Sequence, residues 1–141
     1  MKILLVEDNE GDIELTERAF KRGKLASTLS VTHDGVEAIE YLSRQGKFSD
    51  ATKPDLVLLD LNMPRMGGRK FLEIVKQDEK LKSIPIIVLT SSSAPKDIQE
   101  AYDRHANCYI LKPFEMEKFT DMVKQVEGFW VNIAQLPEKA V

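Results

Sequence analysis

Five short apolar runs recur along the chain, and each is followed by polar residues and then by apolar residues three and four apart. The runs are Ile3-Leu4-Leu5-Val6, Leu29 to Val31, Leu56-Val57-Leu58-Leu59, Ile84 to Leu89, and Tyr109-Ile110-Leu111. Unbroken runs of branched residues predict strands buried on both faces. The second run alternates instead, and predicts a weaker strand ending at His33. Helical spacing follows at Ile13, Thr16, Ala19 and Phe20, at Val36, Ile39 and Leu42, and at Phe71, Ile74 and Val75. It returns at Ile98, Ala101 and Tyr102, and at Phe119, Met122, Val123 and Val126. Asp8 or Asn9 can cap the first helix and Gly23 can stop it. Asp34-Gly35 signals a turn, Gly67-Gly68 opens the third helix, and Pro95 sits near the start of the fourth. Five strand-helix units in strict alternation predict an α/β fold, a doubly wound five-stranded parallel sheet with helices on both faces. The polar stretch SRQGKFSDATK, Ser43 to Lys53, interrupts the pattern and predicts a longer loop.

In such a sheet, ligands bind beyond the carboxyl ends of the strands, near the point where strand order reverses. The residues there are Glu7 and Asp8 after the first run, Asp60 after the third, Thr90 after the fourth and Lys112 after the fifth. Strand order 2-1-3-4-5 makes the first and third strands neighbours, which gathers three carboxylates. Two like charges about 4 Å apart repel by roughly 4 kcal/mol at an effective dielectric near 20. The cluster therefore calls for protons or a cation. A donor set of oxygens alone favours a hard divalent ion, Mg²⁺ above all, because it binds through few carboxylates and accepts phosphate oxygens. A phosphoryl group suits this pocket: Asp60 as nucleophile, the metal and Lys112 as positive charge, and the Thr90 hydroxyl as donor.

Each residue taken singly has a plainer role. Glu7-Asp8 can be a helix cap, Asp60 a strand-end turn residue, Thr90 a cap for the helix after Ser93, and Lys112 a solvated lysine. Polar residues of these types on four of five strand exits are what point to a site. His33 and His105 read as ordinary surface or strand-end histidines.

Composition narrows the classes. Of 141 residues, 43% are hydrophobic and 30% charged, the balance of a globular domain, and the formal net charge of -3 gives no sign of a nucleic-acid-binding face. The single cysteine, Cys108, permits no intrachain disulfide and reads as a buried packing thiol. No apolar run reaches the length of a membrane span or a secretory signal, so the expected location is the cytoplasm.

The motifs VEDN, DLVLLDLNMPRMGG, IIVLTSS and YILKPF, in that order on five strand-helix units, resemble the receiver domain of two-component response regulators, from Lys2 to about Val126. The resemblance implies the flavodoxin-like receiver fold and a phosphoryl group accepted on Asp60 from a sensor histidine kinase. It implies Mg²⁺ held by Asp8, Asp60 and the Asn62 backbone carbonyl, with Glu7 acting through water. Lys112 would contact the phosphoryl group, with a cis peptide to Pro113. Thr90 and Tyr109 match the switch pair, in which the ring turns inward as the threonine moves toward the phosphate. The first acid is Glu7 where the family commonly has Asp, which bears on metal geometry.

The long loop and the tail EGFWVNIAQLP are similar to small stand-alone receivers that serve phytochrome-type histidine kinases. The division expected is a receiver over 1–127 and, over 128–141, a C-terminal extension of the last helix and a tail, with Pro137 limiting the helix. The 29 residues after Lys112 leave no room for a DNA-binding output domain, so the signal is expected to leave through a surface. Phe129, Trp130 and Ile133 continue the apolar stripe past Gly128. They either lengthen the core or, with the fourth helix, fifth strand and fifth helix, build a homodimer face.

Other functions are weighed on the same residues. A phosphatase with an aspartyl-phosphate intermediate would place a second Asp two residues after the nucleophile, where Asn62 stands and cannot serve as general acid. A flavin protein would cradle phosphate in its first turn, which here holds Glu7, Asp8 and Glu10. A receiver-like module that binds without phosphorylation is the remaining alternative.

Overall fold

Alternate residues of each buried strand enter opposite cores, and that division fixes the layers. In the computed structural model, which describes residues 1–137, the strands are β1 (Lys2–Val6), β2 (Thr28–Thr32), β3 (Leu56–Leu59), β4 (Ile86–Thr90) and β5 (Cys108–Leu111). The helices are α1 (Glu10–Arg22), α2 (Gly35–Leu42), α3 (Gly68–Gln77), α4 (Pro95–Asp103) and α5 (Met116–Gly128). All pairings are parallel, in the order β2-β1-β3-β4-β5. This is the doubly wound sheet that the hydrophobic pattern predicts.

Leu4, Val6, Val57, Leu59, Ile86 and Val88 face α2, α3 and α4, where Ala38, Phe71, Leu72, Val75 and Ala101 meet them. Ile3, Leu5, Leu56, Leu58, Ile87 and Leu89 face α1 and α5, where Ile13, Phe20, Phe119 and Val123 close the second core. Full burial of each such side chain contributes about 1.5–3 kcal/mol. The three inner strands are buried on both faces, whereas β2 and β5 at the edges are only half-buried. Cys108 shares that edge position: it is a half-buried packing residue rather than a fully buried one, because no further strand covers β5.

Local signals set most boundaries. The Asn9 side chain accepts from the Asp12 amide and starts α1; Asp34 does the same for α2 through the Glu37 amide. Pro95 begins α4, where its missing N–H costs nothing. The fourth strand begins at Ile86 rather than Ile84, since Pro85 lacks the N–H a ladder needs. The loop after α2 contains a single 3₁₀ turn, Gly46–Phe48, with Phe48 edge-on to Tyr41 at 5.2 Å between ring centres.

The last helix does run on, but not as a straight α-helix. After Gly128 the chain makes one wider π turn, Phe129–Ile133, closed by the Ala134 amide donating to the Phe129 carbonyl at 2.8 Å. The wider turn rotates the predicted stripe. Trp130 packs on the second core, while Phe129 is half-exposed and Ile133 is 75% exposed. The final four residues of the expected extension lie outside the described residues.

Candidate functional site

The strand register brings the predicted residues to one end of the sheet. Val6 pairs with Leu59, and the Asp60 amide donates to the Val6 carbonyl at 3.0 Å, so Glu7 and Asp60 leave the sheet side by side. On the other flank, Lys112 donates its amide to the Thr90 carbonyl at 2.8 Å. Glu7, Asp8 and Asp60 each offer a carboxylate oxygen, and these atoms all lie within 4.8 Å of one another. Glu7 and Asp60 are buried and Asp8 is exposed at the rim. The Lys112 ammonium is 2.8 Å from Glu7 Oε2 and 3.9 Å from Asp60 Oδ1.

The electrostatics follow from that crowding. Burial pushes the Glu7 carboxyl up to about 7, against the hydrogen bond from Lys112, and the charge of Asp60 adds to the rise. Burial also raises Asp60, against the attraction of Lys112 and the amide of Leu61, which donates to its Oδ1 at 2.9 Å. Two acids in one buried site resist both being charged. For Lys112, burial favours the neutral amine, but its hydrogen bonds to Asp12 and Glu7 outweigh that and hold it above the usual lysine value.

The remaining predicted residues sit around this cluster. Thr90 is fully buried, and its hydroxyl accepts a long 3.4 Å bond from the Ser92 amide. Its alternative as a cap for the fourth helix does not hold. Ala94 takes the cap position without a side-chain bond, and the Ala94 amide is met by Ser92 Oγ at 3.3 Å. Tyr109 lies with its ring against the core on the α3–α4 side, and its hydroxyl donates to the Ser92 carbonyl at 2.8 Å. Asn62 is exposed in the loop after β3. No cis peptide bond occurs among the described residues, so the Lys112–Pro113 bond is trans, contrary to the expectation from family resemblance. Trans is the ordinary preference of such bonds.

Two contacts were not foreseen from the sequence. Asp12 Oδ2 lies 2.8 Å from the Lys112 ammonium. Arg65, in the loop after Asp60, forks onto Asp34 at the start of α2. The pairs are separated by 100 and 31 residues, beyond what helical or strand periodicity can relate. An acid at the third position of a capped helix was the one local hint at Asp12.

The donor set fits a hard divalent cation: it is oxygen only, its three carboxylates outnumber the single Lys112 ammonium beside them, and Asp8 is exposed to water at its rim. Asp8 is the exposed member of the three, and Glu7 and Asp60 are buried.

The response regulator receiver domain family matches residues 3–124. Response regulator Rcp1 of Synechocystis is 38% identical over 135 residues, 96% of this chain and 92% of the relative. The crystal structure of the phosphorylated cyanobacterial phytochrome response regulator RcpA shares 42% identity at a TM-score of 0.90, covering 97% of this chain and 98% of that one. The Mn²⁺-bound form of Rcp1 shares 37% identity at a TM-score of 0.87, covering 97% and 99%.

Proposed function

The chain belongs to the response regulator receiver family, and on that premise we propose that Asp60 accepts a phosphoryl group from a sensor histidine kinase. The observation that carries this reading is the meeting of three carboxylates within 4.8 Å with the Lys112 ammonium 3.9 Å from Asp60. An Asp60 oxygen attacks phosphorus and forms the new O–P bond. The P–N bond to the donor imidazole breaks, and the leaving nitrogen takes the electron pair and then a proton.

Asp8, Asp60 and the Asn62 backbone carbonyl would hold Mg²⁺, with Glu7 acting through water. When bound, the ion neutralises the acids and the phosphoryl oxygens. Lys112 supplies a further positive charge to the phosphoryl group, and the Thr90 hydroxyl donates to it. Tyr109 completes the switch pair: its inward ring fills the space that opens as Thr90 moves. With Asn62 in place of a second acid, no side chain there protonates a leaving group. The covalent state therefore serves as a signal and the protein is not a turnover enzyme.

The test is incubation with acetyl phosphate and Mg²⁺. One phosphoryl mass should be added to the wild type and none to Asp60→Asn. Equal uptake by the variant, or no adduct at all, sinks the reading and leaves a binding module that works without phosphorylation. Steady hydrolysis of small phosphate esters would favour the phosphatase.

The finer partner reading is a phytochrome-type kinase in the cytoplasm. It is supported by the likeness to RcpA and Rcp1, and it is tested by phosphate transfer from such kinases compared with others. Within the chain, we read 1–127 as the receiver and 128–141 as a C-terminal extension of the last helix and tail, a reading supported by the family match over 3–124. A homodimer through α4, β5 and α5 with Phe129, Trp130 and Ile133 is supported by the exposure of Leu111, Phe114 and Ile133 at 47%, 92% and 75%. Sedimentation giving a strict monomer at high micromolar concentration, with and without a phosphoryl mimic, would remove it.

A further inference from the structure

We infer that Asp12 is a positioning residue that tethers the Lys112 ammonium short of Asp60 until a phosphoryl oxygen draws it away. The inference rests on Asp60 being the acceptor and adds the device that governs when Lys112 reaches it.

The ammonium has three N–H donors. Two are committed, to Glu7 Oε2 and to Asp12 Oδ2, each at 2.8 Å. The nearer Asp60 oxygen, at 3.9 Å, is beyond hydrogen-bond reach. Lys112 is thus aimed at the acceptor and held off it. Its side chain is only 11% exposed, so bulk water offers little competition for these bonds.

The route by which Asp12 comes free for this task is visible at the start of α1. Asn9 is the cap, and Asp12 is the third helical residue. A Glu or Gln at that position can reach back onto the amide of the cap residue, a role the shorter Asp12 does not take. Here that amide instead donates to Glu7 Oε1 at 3.1 Å. The Asp12 carboxylate therefore has no duty in its own cap. It reaches across to a lysine 100 residues later in the chain.

Glu7 and Asp12 are not equivalent tethers. Glu7 belongs to the group of acids that meet at a cation's distance, and Asp12 stands outside it. A divalent ion held by Asp8 and Asp60, with Glu7 reached through its water, would compete with Lys112 for Glu7. Asp12 faces no such competition, so it is the anchor that remains while the metal-loaded site waits. A phosphoryl group on Asp60 presents new anionic oxygens near the ammonium and outbids a single, partly exposed carboxylate.

The test uses the full chain carrying ¹³C at the lysine Cε, observed by NMR in Mg²⁺ without any phosphoryl group. The Lys112 signal is assigned by its loss in Lys112→Gln. Asp12→Asn should displace that signal, and Asp12→Glu should return it toward the wild-type position. A merely structural role for Asp12 would change the melting temperature without moving the lysine. Asp12→Ser, which a first helical turn tolerates, carries the same comparison should Asp12→Asn fold poorly. Adding beryllium fluoride as a phosphoryl mimic should shift Lys112 in the wild type, and less in Asp12→Asn. The acetyl phosphate concentration for half-maximal phosphorylation should fall about threefold to tenfold in Asp12→Asn, the range between an exposed ion pair and a charged hydrogen bond. An unchanged Lys112 signal in Asp12→Asn overturns the proposal. A signal that responds to Asp12 in a chain that takes no phosphoryl group on Asp60 keeps the tether and overturns the acceptor reading instead.

Discussion

Arg65 grips Asp34 with two parallel hydrogen bonds, Nε at 2.7 Å and Nη2 at 3.1 Å from its two carboxylate oxygens. The pair ties the loop after Asp60 to the start of α2, and the Gly35 amide adds a second tie by donating to the Met66 carbonyl at 3.0 Å. Burial pushes the Asp34 carboxyl up, but the bonds from Arg65 and from the Glu37 amide outweigh it and hold the group below the usual range. A carboxyl lowered in the folded state adds stability that is full above its unfolded value, about 3.9, and is lost as pH falls through the folded value. Asp34→Asn keeps the helix cap and removes the charge. Its urea midpoint should lie below that of the wild type at neutral pH, and the gap should close in acid. A gap that persists in acid would mean that the loss comes from something other than the Asp34 charge, and no gap at neutral pH would mean that the charged fork contributes nothing. Asp34→Ala also removes the cap and should cost about 1 kcal/mol more.

Two glycines should respond oppositely to the same change. A Cβ on Gly68 would overlap the Asp60 carbonyl oxygen and come within 2.8 Å of Leu61 Cα. Both are backbone atoms of the site loop and have little room to move. Gly68→Ala should lower stability by about 1–3 kcal/mol and weaken phosphorylation with it. A Cβ on Gly128 meets nothing within 4 Å, in a helical conformation. Gly128→Ala should stabilise by about 0.4–1 kcal/mol. Denaturant midpoints of the two variants check both signs.

Strand positions were readable because burial on both faces writes itself into consecutive residues, as in Leu56 to Leu59. The cap at Asn9 was readable because its bond closes within one helical turn, whereas Asp34 was legible only as part of a turn and Pro95 only as a residue near the start of α4. The site was half-readable: strand ends converge in any sheet of this order, so Glu7, Asp8, Asp60 and Lys112 could be grouped without distances. The Asp12–Lys112 and Arg65–Asp34 pairs were not, since a charged side chain on a helix or loop fits many partners and periodicity selects none. The π turn after Gly128 was also hidden. The apolar residues there suit either helix, and only the bond from Ala134 to Phe129 tells them apart.

If the acid cluster holds Mg²⁺, the folded state is stabilised by mass action. At about 100 times the dissociation constant the gain is about 2.7 kcal/mol, which for a chain of this length raises the melting midpoint by roughly 5–10 °C. Asp8 is exposed, so Asp8→Asn should fold normally, yet its midpoint should respond far less to Mg²⁺. Calorimetry with NaCl at matched ionic strength separates binding from screening. Equal responses in the two proteins would place the ion elsewhere.

A chain of hydrogen bonds joins Tyr109 to α3, the helix that follows the loop after Asp60. The Tyr109 hydroxyl donates to the Ser92 carbonyl at 2.8 Å, Ser92 Oγ donates to Asp97 at 2.5 Å, and Arg69 Nη2 donates to Asp97 at 2.6 Å. Arg69 also reaches Glu100 through Nε at 2.9 Å, so one guanidinium on α3 holds two acids of α4. Burial would disfavour the charged Arg69, and the bonds to Asp97 and Glu100 outweigh it and keep it firmly protonated. Apart from Ala101, no residue of α4 is buried, so its attachment depends on these polar bonds more than that of α3 does. Arg69→Met preserves the length of the side chain and removes the fork. Amide exchange in α4 should then quicken several-fold while α3, packed through Phe71, Leu72 and Val75, exchanges at its former rate. Tyr109 should show looser packing, read as a shift of its ring signals by NMR. Exchange that quickens equally in both helices would mean that Arg69 supports the whole face rather than linking α4 to the site.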